Sequence, residues 1–194
     1  MSTPGKQKDR MLLVDEEWDA DLGLAHQRTQ DIRGILSVIE IFSALTQDEL
    51  RQVGWIVHLR SYLPNEVIVE QGAPGVGMYI IQSGSADVIL EVAEGEVIKL
   101  ATLGERQFFG EMSLLDGAPR AASVVAVERT RVIGFFRADL MDLIERHPRL
   151  GLKIVLQLSR LMGQRLRETL NDFRAVQQTL RMLQAKEPKG SEVV

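Results

Sequence analysis

From Ile32 the apolar positions Ile35, Leu36, Ile39 and Phe42 recur at spacings of three and four, the period of one helix face. Thr46-Gln47-Asp48-Glu49 then supplies the hydroxyl and carboxylate of a capping box, so two short helices are expected over residues 31–55. Between residues 56 and 136 the period falls to two. Ala86, Val88, Leu90 and Val92 alternate with Asp87, Ile89 and Glu91, and Val125 and Val127 alternate with Ala122, Val124 and Ala126. Glycines at 72, 75, 77, 84, 95, 104, 110 and 117 punctuate this stretch, and Glu94-Gly95-Glu96 reads as a hairpin turn. About eight short strands in so small a space predict a β jelly roll, a double-stranded β-helix.

The helical period returns at Arg137, breaks at His147-Pro148, and resumes over about residues 149–186. A helix of that length is roughly 55 Å long and needs a surface to pack on. Ser159, Met162, Leu166, Thr169, Phe173, Val176, Leu180 and Leu183 fall at alternating spacings of three and four, a heptad seam. The helix could fold back on its own β-unit, but three heptads exceed what one small barrel covers, which favours a homodimer through residues 159–183. The expected fold is α+β: an eight-stranded jelly roll with N-terminal helices and a long C-terminal dimerisation helix. The chain divides into a flexible polar arm (1–30), a unit at 31–147 (helices 31–55, β-roll 56–136, helix 137–147), the long helix (148–186) and a tail (187–194).

Composition narrows the chemistry. The 194 residues suit one core with terminal attachments. With no cysteine there is no disulfide, thiolate metal site or cysteine nucleophile. No apolar run approaches the length of a membrane span and no signal-peptide pattern follows Met1, so a cytoplasmic location is expected. Net charges of −4 over residues 1–52, −4 over 53–136 and +4 over 137–194 argue against bulk nucleic-acid binding. The basic C-terminal stretch reads as a solvated helix face, and the arm carries an acidic patch, Asp15, Glu16, Glu17, Asp19 and Asp21, around Trp18. His26, His58 and His147 are scattered singly and make no metal site, while Trp18 and Trp55 are expected in packing roles.

One segment breaks the strand rhythm: Phe109-Gly110-Glu111-Met112-Ser113-Leu114-Leu115-Asp116-Gly117-Ala118-Pro119-Arg120-Ala121-Ala122-Ser123. Met112 to Leu115 does not alternate and is bounded by glycines, the outline of a one-turn helix whose N–H groups could hold a phosphate. Arg120, at the head of the next strand, can direct a guanidinium into the same space. Glu111 cannot bind phosphate but can accept a hydrogen bond from a ligand hydroxyl such as that of a ribose. The bland alternative is a Glu111–Arg120 salt bridge between two ordinary turns.

This segment resembles the phosphate-binding cassette of the cyclic nucleotide-binding domain family. That family includes bacterial catabolite activators, regulatory subunits of cyclic AMP-dependent protein kinase and cyclic nucleotide-gated channels. The spelling Gly117-Ala118-Pro119-Arg120-Ala121-Ala122-Ser123 is closest to the kinase version. Phe42-Ser43-Ala44-Leu45, Glu70-Gln71-Gly72, Met78-Tyr79-Ile80-Ile81 and Gly84 extend the resemblance to about residues 35–186, although Gly72-Ala73-Pro74-Gly75 departs from it where an Asp often follows the first Gly. The resemblance implies that Arg120 pairs with the cyclic phosphate and Glu111 accepts the ribose 2′-hydroxyl. Gly110, Met112, Ser113, Leu114, Ala121 and Ala122 would complete the cradle, largely through backbone amides, and Val88 and Leu100 would line the base or ribose side. Ala121 after the Arg resembles the cyclic AMP-selective members, so cyclic AMP rather than cyclic GMP is the expected ligand.

A non-enzymatic sensor follows, signalling to a partner protein through its C-terminal helices, without a cofactor, nucleic acid or membrane as partner. A transcription factor of the catabolite-activator type is disfavoured because only 46 residues follow Pro148. A ligand-free dimeric scaffold of the same fold is the alternative.

Overall fold

The computed structural model describes residues 31–92 and 95–186; the arm at 1–30 with Trp18 and His26, and the tail at 187–194, lie outside the described residues. Residues 31–36 form helix α1, a single 3-10 turn follows at Glu40–Phe42, and α2 spans Gln47–Ile56. The capping box is present: Glu49 N–H donates to Thr46 Oγ1 at 3.3 Å, and Thr46 N–H donates to Glu49 Oε2 at 2.7 Å. The 3-10 turn buries the adjacent pair Ile41 and Phe42.

Eight strands follow: β1 (His58–Tyr62), β2 (Val67–Val69), β3 (Gly77–Ser83), β4 (Ala86–Glu91), β5 (Val97–Leu103), β6 (Phe108–Phe109), β7 (Ser123–Ala126) and β8 (Thr130–Phe136). They form two four-stranded antiparallel sheets, β1-β8-β3-β6 and β2-β7-β4-β5. The one-turn helix α3 (Met112–Leu115) interrupts the roll between β6 and β7. After β8 come α4 (Arg137–Arg146) and α5 (Pro148–Lys186), separated at His147-Pro148.

The first sheet is the middle of three layers. Tyr79, Ile81 and Val132 face the second sheet, whereas Met78, Ile80, Ile133 and Phe135 face the helices. Burial on both faces explains why Met78 to Ile81 reads as a continuous apolar run without alternation. The helix side of the core is completed by Leu150, Ile154, Leu158 and Leu161 of α5. Full burial of each such side chain contributes about 1.5–3 kcal/mol, so the first part of α5 is anchored on the domain. Residues 164–183 are exposed along their whole length.

One expectation changes here. Trp55 is not a packing residue: it is 70% exposed at the end of α2, whose buried positions are Leu50 and Val53. His58 rests on Phe136 at 5.0 Å and lies 3.4 Å from the Asp139 carboxylate, tying β1 to the first turn of α4. Among the described residues no helix is long and apolar enough to cross a membrane.

Candidate functional site

Strand β6 ends at Phe109, and the chain turns at Gly110 with φ +76°, a conformation in the left-handed region that suits glycine. A Cβ there would collide with the Arg120 guanidinium. The same turn makes Glu111 the N-cap of α3, and the helix returns through Gly117 at φ +67°. Asp116 Oδ1 accepts the Ala118 N–H at 2.9 Å, fixing the bend that delivers Arg120.

Arg120 is held by its backbone as well. Its N–H donates to Ala73 O and its carbonyl accepts from Gly72 N–H, both at 2.9 Å. The Gly72–Gly75 loop, remote in sequence, is therefore a direct support of the cassette. Gly75 belongs there because any side chain would strike Ser113 and the Ala118 carbonyl.

The Arg120 side chain is only 6% exposed, and burial pushes its guanidinium below the ordinary arginine value. Its Nη1 donates to Gly110 O and Ser113 Oγ, each at 3.3 Å, and its Cζ lies 5.8 Å from the centre of the Tyr79 ring. No carboxylate neutralises it by direct contact among the described residues. A buried cation with long, neutral hydrogen bonds retains the capacity to bind an anion.

Glu111 is 4% exposed and pairs with a residue that sequence reasoning missed, Arg165 of α5. The Arg165 guanidinium also lies over Phe108, with Cζ 5.3 Å from the ring centre. Arg165 closes one side of a cavity of about 310 Å³. Val69, Val88, Leu103 and Val124 form its apolar wall, while Gly110 to Ser113 and Ala118 to Ala122 form the polar end. Arg120, Arg165 and Glu111 sum to one positive charge, which complements a monoanion. Because Arg165 balances Glu111, that carboxylate need not repel the anion, and it retains acceptor positions for a hydroxyl.

Of the residues named from the sequence, Gly110, Glu111, Met112, Ser113, Arg120, Ala121, Ala122 and Val88 line this cavity. Leu114 and Leu100 do not. Leu114 is fully buried on the helix side of the core, and its N–H donates to Glu111 O at 3.1 Å, so neither group reaches the cavity. Leu100 is 55% exposed because of a β-bulge: Val88 pairs with Ala101 but Ile89 pairs with Lys99, which leaves Leu100 unpaired and shifts the alternation of β5. Leu103, beyond the bulge, takes the inward place. Arg165 did leave a trace in the sequence. Ile154, Leu158, Leu161 and Arg165 continue one stripe at spacings of four, three and four, so Arg165 is the arginine that follows the buried face.

This geometry agrees with comparisons to known proteins. Residues 59–147 match the family model described as the cyclic nucleotide-binding domain, so this part of the chain is similar to the domains of that family. The cyclic AMP receptor protein of Thermus thermophilus is 36% identical over 128 residues, which cover 66% of this chain and 57% of the relative. A cAMP-dependent protein kinase regulatory subunit of Aspergillus fumigatus is 36% identical over 108 residues, covering 56% of this chain and 25% of the relative. The chain thus spans less than two thirds of the length of either relative. Among solved structures, a cyclic nucleotide-binding domain from Methylobacillus flagellatus superposes with a TM-score of 0.65 at 26% identity, covering 86% of this chain and 89% of that one.

Proposed function

We propose that this chain is a non-enzymatic receptor for a cyclic nucleotide, cyclic AMP in preference to cyclic GMP, and that its C-terminal helices pass the binding event to a partner protein in the cytoplasm. The observation that carries the reading is the pairing of buried, anion-ready Arg120 with Glu111 across one cavity. In this reading Arg120 and the cassette amides take the cyclic phosphate, and Glu111 takes the ribose 2′-hydroxyl. The apolar wall of Val69, Val88, Leu103 and Val124 takes the base. Alanine at 121 and 122 provides no hydroxyl to select guanine, which supports cyclic AMP.

Arg165 supplies the link to the helices. It reaches Glu111 from α5, so a ligand that engages Glu111 also alters the seating of α5 on the cassette. Differential affinity for two seatings of that helix is sufficient to switch a partner. The exposed apolar seam of Leu166, Phe173, Val176, Leu180 and Leu183 supports a homodimer through residues 159–183.

Calorimetric titration with cyclic AMP and cyclic GMP tests the ligand. Binding of cyclic AMP at about 1 μM or tighter is expected, weakened by about 2–5 kcal/mol in Arg120→Ala. A folded wild-type protein that binds neither nucleotide would refute the receptor reading and leave a ligand-free dimeric scaffold.

A further inference from the structure

We propose that the acidic segment Met11–Leu22 of this chain docks along a row of arginines on the outer face of α5. The row is Arg160, Arg167, Arg174 and Arg181, one cation every seven residues, with Lys153 one heptad earlier. Seven residues are close to two helical turns, so these side chains stand in line about 10 Å apart.

Lys153 already has a partner, since its Nζ lies 2.7 and 2.8 Å from the Glu49 carboxylate oxygens. The four arginines are exposed, and none takes part in an ion pair among the described residues. Three and four residues to either side of each stand only Leu, Gly, Ala, Asn and Gln. Arg51 and Arg146 have such partners in Asp48 and Asp142, whereas exposed Arg137 and Arg149 have no ion pair among the described residues but stand singly. Four aligned, unpaired arginines beside exposed Leu156 and Leu170 fit an occupant that is both acidic and apolar.

The chain contains such a segment. Met11-Leu12-Leu13-Val14-Asp15-Glu16-Glu17-Trp18-Asp19-Ala20-Asp21-Leu22 has five carboxylates, no cation and six large apolar side chains. Its tether has the right length. Ile32 and Leu36 of α1 belong to the buried core that also seats Leu158 and Leu161 of α5, so the arm leaves from the layer on which α5 is anchored. The residues between Leu22 and Asp31 can span roughly 30 Å, and Arg160 to Arg181 covers about 31 Å of helix. The tether also raises the effective concentration, so many weak ion pairs suffice.

Docking does not compete with the dimer seam. Each arginine follows a seam residue, Ser159, Leu166, Phe173 or Leu180, by one position, and so lies about 100° further round the helix. It faces away from Met162, Val176 and Leu183. The proposal also stands apart from the ligand reading, and its test contains no nucleotide.

Trp18 and Trp55 are the two tryptophans, and Trp55 is exposed, so Trp55→Phe leaves Trp18 as the sole reporter in an otherwise intact chain. Acrylamide quenching of Trp18 is expected to increase about twofold when salt is raised to about 0.5 M, where the Debye length is only a few Å. A similar increase at low salt is expected for the quadruple Arg→Gln variant of positions 160, 167, 174 and 181. Circular dichroism checks that this variant keeps its helix. Protection should return when the four positions are changed to Glu and the five arm carboxylates to Lys. Quenching that is the same in wild type and the Arg→Gln variant at low salt would overturn the proposal. So would full-length chain that binds anionic phosphatidylserine vesicles or single-stranded DNA as tightly as a chain starting at residue 29, because the row would then be uncovered.

Discussion

Glu111 and Arg165 are 54 residues apart in the chain yet form one electrostatic unit, because a carboxylate that is 4% exposed has to keep a cation beside it. Removing the guanidinium alone strands that charge. Arg165→Ala is therefore expected to lower stability by about 1–3 kcal/mol, while Arg165→Ala combined with Glu111→Gln should cost less than the single change. Equilibrium denaturation of the four proteins measures the coupling, and additive costs would show that the pair does not act as a unit. At this scale the sequence revealed Gly110, Glu111 and Arg120 because they lie within one short motif. Arg165 was hidden because six arginines are spread over α5 and only the continuation of the Ile154–Leu158–Leu161 stripe distinguishes it. Leu100 was misplaced for another reason: a bulge moves every later side chain by one, and no residue type in β5 announces it.

Element boundaries were legible where the chemistry is local, as in the Thr46 capping box, the His147-Pro148 break and the alternation of β4. Contacts between elements were not. The Gly72–Gly75 loop supports Arg120 and the side chain of Glu49 on α2 holds Lys153 on α5, and both depend on the closed fold. Glu49 carries a prediction about acid stability. The hydrogen bond from Lys153, then that from the Thr46 N–H, holds its carboxyl below the ordinary value of 4.5. A depressed pKa stabilises the fold above the ordinary value, and that contribution disappears as pH falls through the lowered one. Glutamine can keep the capping box but not the charge pair. Glu49→Gln should therefore cost about 0.5–1 kcal/mol at neutral pH, a modest value because the pair is partly exposed, and the difference from wild type should shrink in acid. Denaturation at a series of pH values gives the difference curve, and a difference that is constant into strong acid would remove the pair from the account.

The three-layer arrangement explains why the architecture could be read at all. Two sheets with helices against one of them demand a β-period flanked by helical periods, and the chain shows that order. What the layers leave uncovered is the far part of α5, where Leu166, Leu170, Phe173, Val176, Leu180 and Leu183 are 45–64% exposed. An isolated helical extension draws its stability mainly from packing of an apolar face, and nothing within the described chain packs on this one. A parallel pair of α5 helices would cover it and would also brace the segment that carries Arg165. Sedimentation at micromolar concentration should therefore give about twice the 21.7 kDa chain mass. Phe173→Glu with Val176→Glu should yield monomers whose β-roll still melts cooperatively, because both side chains lie outside the core. The wild-type melting temperature should rise with protein concentration, as expected for coupled folding and association, and the double variant should lose that dependence. A wild-type chain that sediments as a monomer would refute the seam, and a double variant that remains dimeric would place the interface on another surface.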